Sequence, residues 1–82
     1  MSSKKDYKDL CRSVANLLRE KRIEQGMSMT LLAEKSGLSQ QMVSYVERGM
    51  RIPSLETLFR ITESLQIELA TVISEAVKTE SK

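Results

Sequence analysis

Histidine is absent from the 82 residues and cysteine occurs once, at Cys11. The usual zinc and haem ligand sets therefore cannot be assembled, and an intramolecular disulfide is impossible. No metal and no other cofactor is expected. Neither a Gly-rich phosphate loop nor an activated nucleophile is visible, so no catalytic set can be named and an enzyme is set aside. Long apolar runs are missing too: nothing approaches the roughly 18 residues of a membrane span, and the N-terminus is polar where a secretory leader would turn apolar. Together with the lone cysteine this reads as a chain of the reducing cytoplasm, with Cys11 a half-buried packing residue. There are three aromatic side chains, one proline and three glycines. That scarcity suits packed helices far better than a β-sandwich.

What is present bounds the architecture further. Eighty-two residues, 40% of them hydrophobic, lie near the lower end of what builds one hydrophobic core. One all-α domain spanning 1–82 is expected, with polar, frayed ends at about 1–5 and 79–82. The net charge of +2 says little, but its distribution says more. Residues 1–52 carry ten Lys/Arg against six Asp/Glu (+4), and residues 53–82 carry three against five (−2). One end can face phosphate.

Helical spacing organises the chain into five segments. Leu10, Val14, Leu17 and Leu18 mark a helix from about Asp6 to Gln25, followed by Gly26. Ser28 caps a second, two-turn helix that holds Leu31, Leu32 and Ala33 and stops at Ser36-Gly37. Ser39 caps a third from Gln40 to about Arg48, closed by Gly49. Pro53-Ser54 opens a fourth, with Leu55, Leu58, Phe59, Thr62 and Leu65 on one face and an end near Gln66. Leu69, Val72, Ile73, Ala76 and Val77 recur at intervals of three and four and define a fifth.

The stretch MTLLAEKSGLSQQMVSYVER, Met29 to Arg48, joins two short helices by a tight turn. Ala33 is small enough for the third helix to cross close over the second, and Gly37 can take the positive φ the turn needs. Winding the third helix at about 100° per residue puts Met42, Val43, Val46 and Glu47 on one side. Gln40, Gln41, Ser44, Tyr45 and Arg48 fall on the other. Every member of that second set can hydrogen-bond, and a glutamine can bond an adenine through N6 and N7 together. This face is the expected base reader, although the Tyr45 ring can instead cover the edge of the core. Phosphate donors surround it: helix N-terminal amides near Thr30 and Ser39, then Lys35, Arg48 and Arg51.

Three segments, REKRIEQGMSM, LAEKSGLSQQMVSYVERG and PSLETLFRITESLQI, resemble the phage-repressor-like helix-turn-helix proteins of the Cro/C1 or XRE type. These include Cro, the lambdoid repressors and the controller proteins of restriction-modification systems. The resemblance spans about Leu17 to Ile73. It implies a five-helix, lambda-repressor-like domain with the motif at about 28–48. It also implies a buried structural ion pair between Arg22 and Glu47, base contacts from Gln40, Gln41, Ser44 and Tyr45, and phosphate contacts around Thr30 and Met50 to Ile52. Many relatives begin the second helix with a glutamine that touches phosphate, where this sequence has Met29.

One helix reads about half an operator, and a symmetric dimer sets two such helices about 34 Å apart, one turn of DNA. The expected partners are a palindromic double-stranded operator and a second copy of the chain, docked through Ile67, Leu69, Ile73 and Val77. The function read here is a DNA-binding transcription regulator, with RNA polymerase or another protein as a further candidate partner. The competing reading is an antitoxin-like module that uses the same fold to bind a protein.

Overall fold

The computed structural model describes residues 7–80. Five helices follow in order: α1 (Tyr7–Glu24), α2 (Met29–Ser36), α3 (Gln40–Glu47), α4 (Leu55–Ser64) and α5 (Leu69–Glu80). No strand occurs among the described residues, so the class is all-α. None of these helices is long and apolar enough to cross a membrane.

Serine sets three of the starts. Ser28, Ser39 and Ser54 stand in extended backbone before α2, α3 and α4, and their side chains accept from the amides of Leu31, Met42 and Thr57. Each satisfies an amide that the helix itself leaves unbonded, worth about 1 kcal/mol. The ends are closed by left-handed residues. At Gly37, φ is +72°, and the Leu38 amide donates back to the Ala33 carbonyl at 2.9 Å. A Cβ at Gly37 would sit 3.1 Å from Nη1 of Arg60, whose guanidinium also donates to the Ser36 carbonyl at 3.3 Å. The positive φ strains any side chain at this turn, and an added Cβ would push against the Arg60 guanidinium. The same closure after α4 uses Gln66, at φ +59°, in place of glycine.

The core draws on all five helices: Leu18, Leu32, Ala33, Val43, Val46, Ile61, Leu65 and Val72. α1 and α5 pack together on one side, while α2 carries α3 and α4 on the other. Ala33, 5% exposed, belongs to the core where α2 packs against α3 and α4. The Gln25 side chain donates to the Leu65 carbonyl at 2.7 Å, tying the end of α1 to the end of α4.

One expectation about a helix face is corrected. On α4 the core face is Leu58, Ile61, Thr62 and Leu65; Leu55 and Phe59 are exposed. Phe59 lies about 100° round the helix from Leu58, on the flank, and Ile61 occupies the buried position instead. On α5, Leu69, Val72 and Ala76 are buried, while Ile73 and Val77 lie at the stripe's edge. The expected fray at 79–82 is also revised. Helix α5 continues through Thr79 and Glu80, where the Glu80 carboxylate accepts from the Ser13 hydroxyl of α1. Residues 1–5, and 81–82 of the other end, lie outside the described residues.

Candidate nucleic-acid interface

α3 is eight residues long, too short to hold its shape alone in water. Its position is fixed from beneath. Val43 and Val46 are 0% and 1% exposed, and between them and α1 lies a charged clamp. Nε of Arg22 donates to Oε2 of Glu47 at 2.7 Å and Nη2 donates to Oε1 at 3.0 Å. Nη1 of the same guanidinium donates to the Met27 carbonyl at 2.7 Å. The side chains are only 10% and 2% exposed. This forked arrangement uses the planar geometry that lysine lacks, and it joins α1, the α1–α2 loop and α3 in one unit.

Away from these anchors α3 carries polar groups held in two separate sets. Gln40 and Gln41 are exposed at its first turn. The Thr30 hydroxyl on α2 donates to Oε1 of Gln40 at 3.0 Å. Nε2 of Gln41 donates to the Tyr45 hydroxyl at 2.8 Å. The Tyr45 ring, half-buried, lies beneath the Arg51 guanidinium, 5.3 Å from its centroid, a cation-π distance. Gln40 is thereby tied to α2, while Gln41, the phenol of Tyr45 and Arg51 form a second group. Ser44, half-buried, sits between Gln40 and Arg48 on the same helix.

The remaining expected contacts separate by chemistry. Ser39 caps α3 with its hydroxyl, which accepts from the Met42 amide at 3.0 Å. What it offers a phosphate is the first-turn amides of the helix it starts. Lys35 is exposed in the last turn of α2. Met50 departs from the expectation, because its amide donates to the Tyr45 carbonyl at 3.0 Å and its thioether has no proton to give. Ile52 is 78% exposed and its side chain is likewise no donor, which makes Arg51 the charged donor of that segment. Arg48, the C-cap of α3, lines a shallow depression with Asp9, Arg12, Asn16 and Glu80, at the far end of the helix from Gln40.

Of the four residues expected at a dimer surface, Leu69 is only 6% exposed and belongs to the core, and Ile67 packs against that core. Ile73 and Val77 present surface, at 40% and 38%. Sequence reading missed the Thr30–Gln40 bond and the Arg51–Tyr45 stack. Both pairs come from helix ends and loops separated in sequence, where periodicity carries no signal. It also missed an apolar groove bordered by Leu10, Cys11, Val14, Ile52, Leu58 and Ile73, between α1 and the segment after α3.

Two short helices at a tight glycine turn, with the second presenting hydrogen-bonding side chains and a flanking cation, define a helix-turn-helix fold of the DNA-binding kind. The chain belongs to the helix-turn-helix family HTH_3, whose model matches residues 18–72, and this is a family of transcription regulators. It is 33% identical over 66 residues to the HTH-type transcriptional regulator SutR of Escherichia coli, covering 80% of this chain and 37% of SutR. It thus spans little more than a third of the length of the first curated relatives it matches. Among solved structures it is similar to the restriction-modification controller protein C.AhdI of Aeromonas hydrophila, with a TM-score of 0.72 at 38% identity, covering 78% of this chain and 96% of that one. A mutant of the controller protein C.Esp1396I, solved bound to its highest affinity operator site, superposes with a TM-score of 0.79 at 27% identity, over 90% of this chain and 97% of that one.

Proposed function

We propose that this chain binds double-stranded operator DNA as a homodimer, with α3 in the major groove, and regulates transcription by occupying that site. The observation that carries the reading is the pair of exposed glutamines in the first turn of α3, with Gln41 bonded to Tyr45 and the Tyr45 ring under Arg51. Neutral amides that can pair with base edges stand beside a guanidinium suited to phosphate. The operator-bound controller protein of the same fold supports it. Gln40, Gln41, Ser44 and Tyr45 are assigned to bases. Lys35, Arg51 and the first-turn amides of α2 and α3 are assigned to phosphate. Ile73 and Val77 are assigned to the two-fold contact. The site of action is the cytoplasmic nucleoid, and RNA polymerase is the partner through which occupancy becomes regulation.

A second reading has one observation in its favour. Ile52, Leu55 and Phe59, exposed by 78%, 61% and 53%, lie close in sequence around the start of α4, a surface that suits a protein partner. Selection from a random double-stranded library, followed by titration of the winner at two salt concentrations, separates the two. An enriched palindrome with half-sites one helical turn apart is the expected result. Weak, salt-sensitive binding without enrichment would move the assignment to the protein-partner module.

A further inference from the structure

Thr30 and Gln40 are ten residues apart and sit in the first turns of two different helices, yet their side chains meet at 3.0 Å. Sequence reading gives Thr30 to phosphate and Gln40 to a base, as independent contacts. We infer that Thr30 is instead a positioning residue for base recognition, acting through Gln40; the inference rests on the DNA-binding reading proposed above.

The physical argument begins with the freedom of the glutamine. Its side chain has three rotatable torsions, and the last of them is broad and two-fold, so an exposed amide neither stays in one place nor keeps one end forward. Ordering it on contact with a base reduces the affinity that the contact can yield. Here the Thr30 hydroxyl donates to Oε1 from α2, a helix held rigidly by Leu32 and Ala33, which are 0% and 5% exposed. One lone pair of Oε1 and both hydrogens of Nε2 remain. They form the acceptor-and-donor edge that matches N6 and N7 of adenine. The neighbouring glutamine is held through its other end, since Nε2 of Gln41 donates to Tyr45. The two amides are therefore set by different scaffolds, one by α2 and one by α3 itself.

A positioning role and a phosphate contact differ in what they do to sequence preference. Loss of a phosphate contact lowers affinity for every sequence alike, and changes the salt slope only where the lost group is charged. A group that pre-orders Gln40 helps only where Gln40 meets its matching base. In Thr30→Val the shape is kept and the hydroxyl removed. Preference at one base pair of each half-site is expected to fall by about two- to tenfold, the equivalent of ordering one long side chain. Thr30→Ser, which keeps the hydroxyl, is expected to retain the preference. In a Gln40→Ala background, Thr30→Val is expected to change nothing at that base pair.

The experiment is a binding titration of the selected site and its single-base-pair variants with the full chain and these four forms, each with its thermal unfolding midpoint measured. An unchanged preference in Thr30→Val overturns the inference, because Gln40 then reads without help. A uniform loss across all sequences, persisting in the Gln40→Ala background with the salt slope unchanged, as removal of a neutral hydroxyl–phosphate contact would give, also overturns it and returns Thr30 to phosphate. If the unmodified chain selects no sequence at all, the DNA-binding reading itself fails and the inference falls with it.

Discussion

Glu47→Ala is the perturbation whose consequence the structure specifies most fully. Removing the carboxylate leaves the Arg22 guanidinium in a site where its side chain is 10% exposed, with two of its three hydrogen bonds gone and only the Met27 carbonyl remaining. An uncompensated buried charge of this kind costs about 3–5 kcal/mol. A domain of this size has a total stability of about 5–10 kcal/mol, so the variant lies near the edge of folding. The corresponding fall in midpoint temperature is on the order of 10–30 °C. The reverse deletion, Arg22→Ala, strands a carboxylate that is 2% exposed and also leaves the Met27 carbonyl without its donor, an added cost of about 1–3 kcal/mol. The double replacement Arg22→Met with Glu47→Leu removes both charges together. It should recover most of the loss, since apolar pairs of similar volume commonly match or exceed a buried ion pair. Urea and thermal unfolding followed by far-ultraviolet circular dichroism read all three. A loss below about 1 kcal/mol in both single variants, the range of an exposed pair, would refute the view that this clamp holds α3 in place.

Further outcomes follow from the same geometry. Gln40→Ala and Gln41→Ala should each cost about 1–3 kcal/mol at particular base pairs and little elsewhere, read by titrating the selected site against its single-base variants. Arg51→Ala should weaken binding to all sequences and reduce the salt slope by about one; it also uncovers the Tyr45 ring, and an unchanged slope would remove Arg51 from the phosphate contacts. Ile73→Glu alters a residue 40% exposed and should leave the unfolding midpoint nearly unchanged while sedimentation shifts to monomer and affinity for a two-half-site operator collapses; a dimer that persists would displace the two-fold contact from α5. Gly37→Ala should destabilise by more than about 1 kcal/mol in urea unfolding, because φ is +72° and the new methyl group meets Arg60.

The helices were legible because their boundaries depend on local chemistry. Ser28, Ser39 and Ser54 act within three residues of themselves, and Gly26, Gly37 and Gly49 supply the positive φ at which three helices end. Faces were less legible where a stripe is wider than its core contact. Leu55, Phe59, Ile73 and Val77 satisfy helical spacing as well as Leu58, Val72 and Ala76 do, and only the packing of α4 and α5 decides which are covered. Ile61 shows the converse: one of the most deeply buried side chains of α4 was not among the five residues its periodicity singled out. At the interface, residue type marked Gln40, Gln41 and Tyr45 as a polar face. The bonds that couple them to Thr30 and Arg51 link α2 and the α3–α4 loop to α3. No one-dimensional pattern contains such a link, because it depends on how two helix starts are set against each other.

Those couplings bear on how so short a reader can be precise. α3 has only eight residues, so its backbone is helical because Val43, Val46 and Glu47 are anchored, not because of its own propensity. On the reading proposed above, base discrimination by Gln40 and Gln41 rests on two kinds of support. The clamp of Arg22 and Glu47 sets where the helix lies, and Thr30 and Tyr45 are placed to set how the amides stand upon it. Loss of the first lowers the folded fraction and therefore affinity for all sequences in proportion, recoverable by cooling or by the apolar double replacement. Loss of the second leaves the folded fraction alone and lowers only the difference between sequences. Glu47→Ala and Thr30→Val, titrated side by side on matched and mismatched sites at two temperatures, should therefore separate: the first temperature-dependent and indifferent to sequence, the second sequence-dependent and nearly indifferent to temperature. If both variants instead shifted affinity and preference in the same ratio, support of the helix and orientation of its amides would be one property, and the division drawn here between them would be wrong.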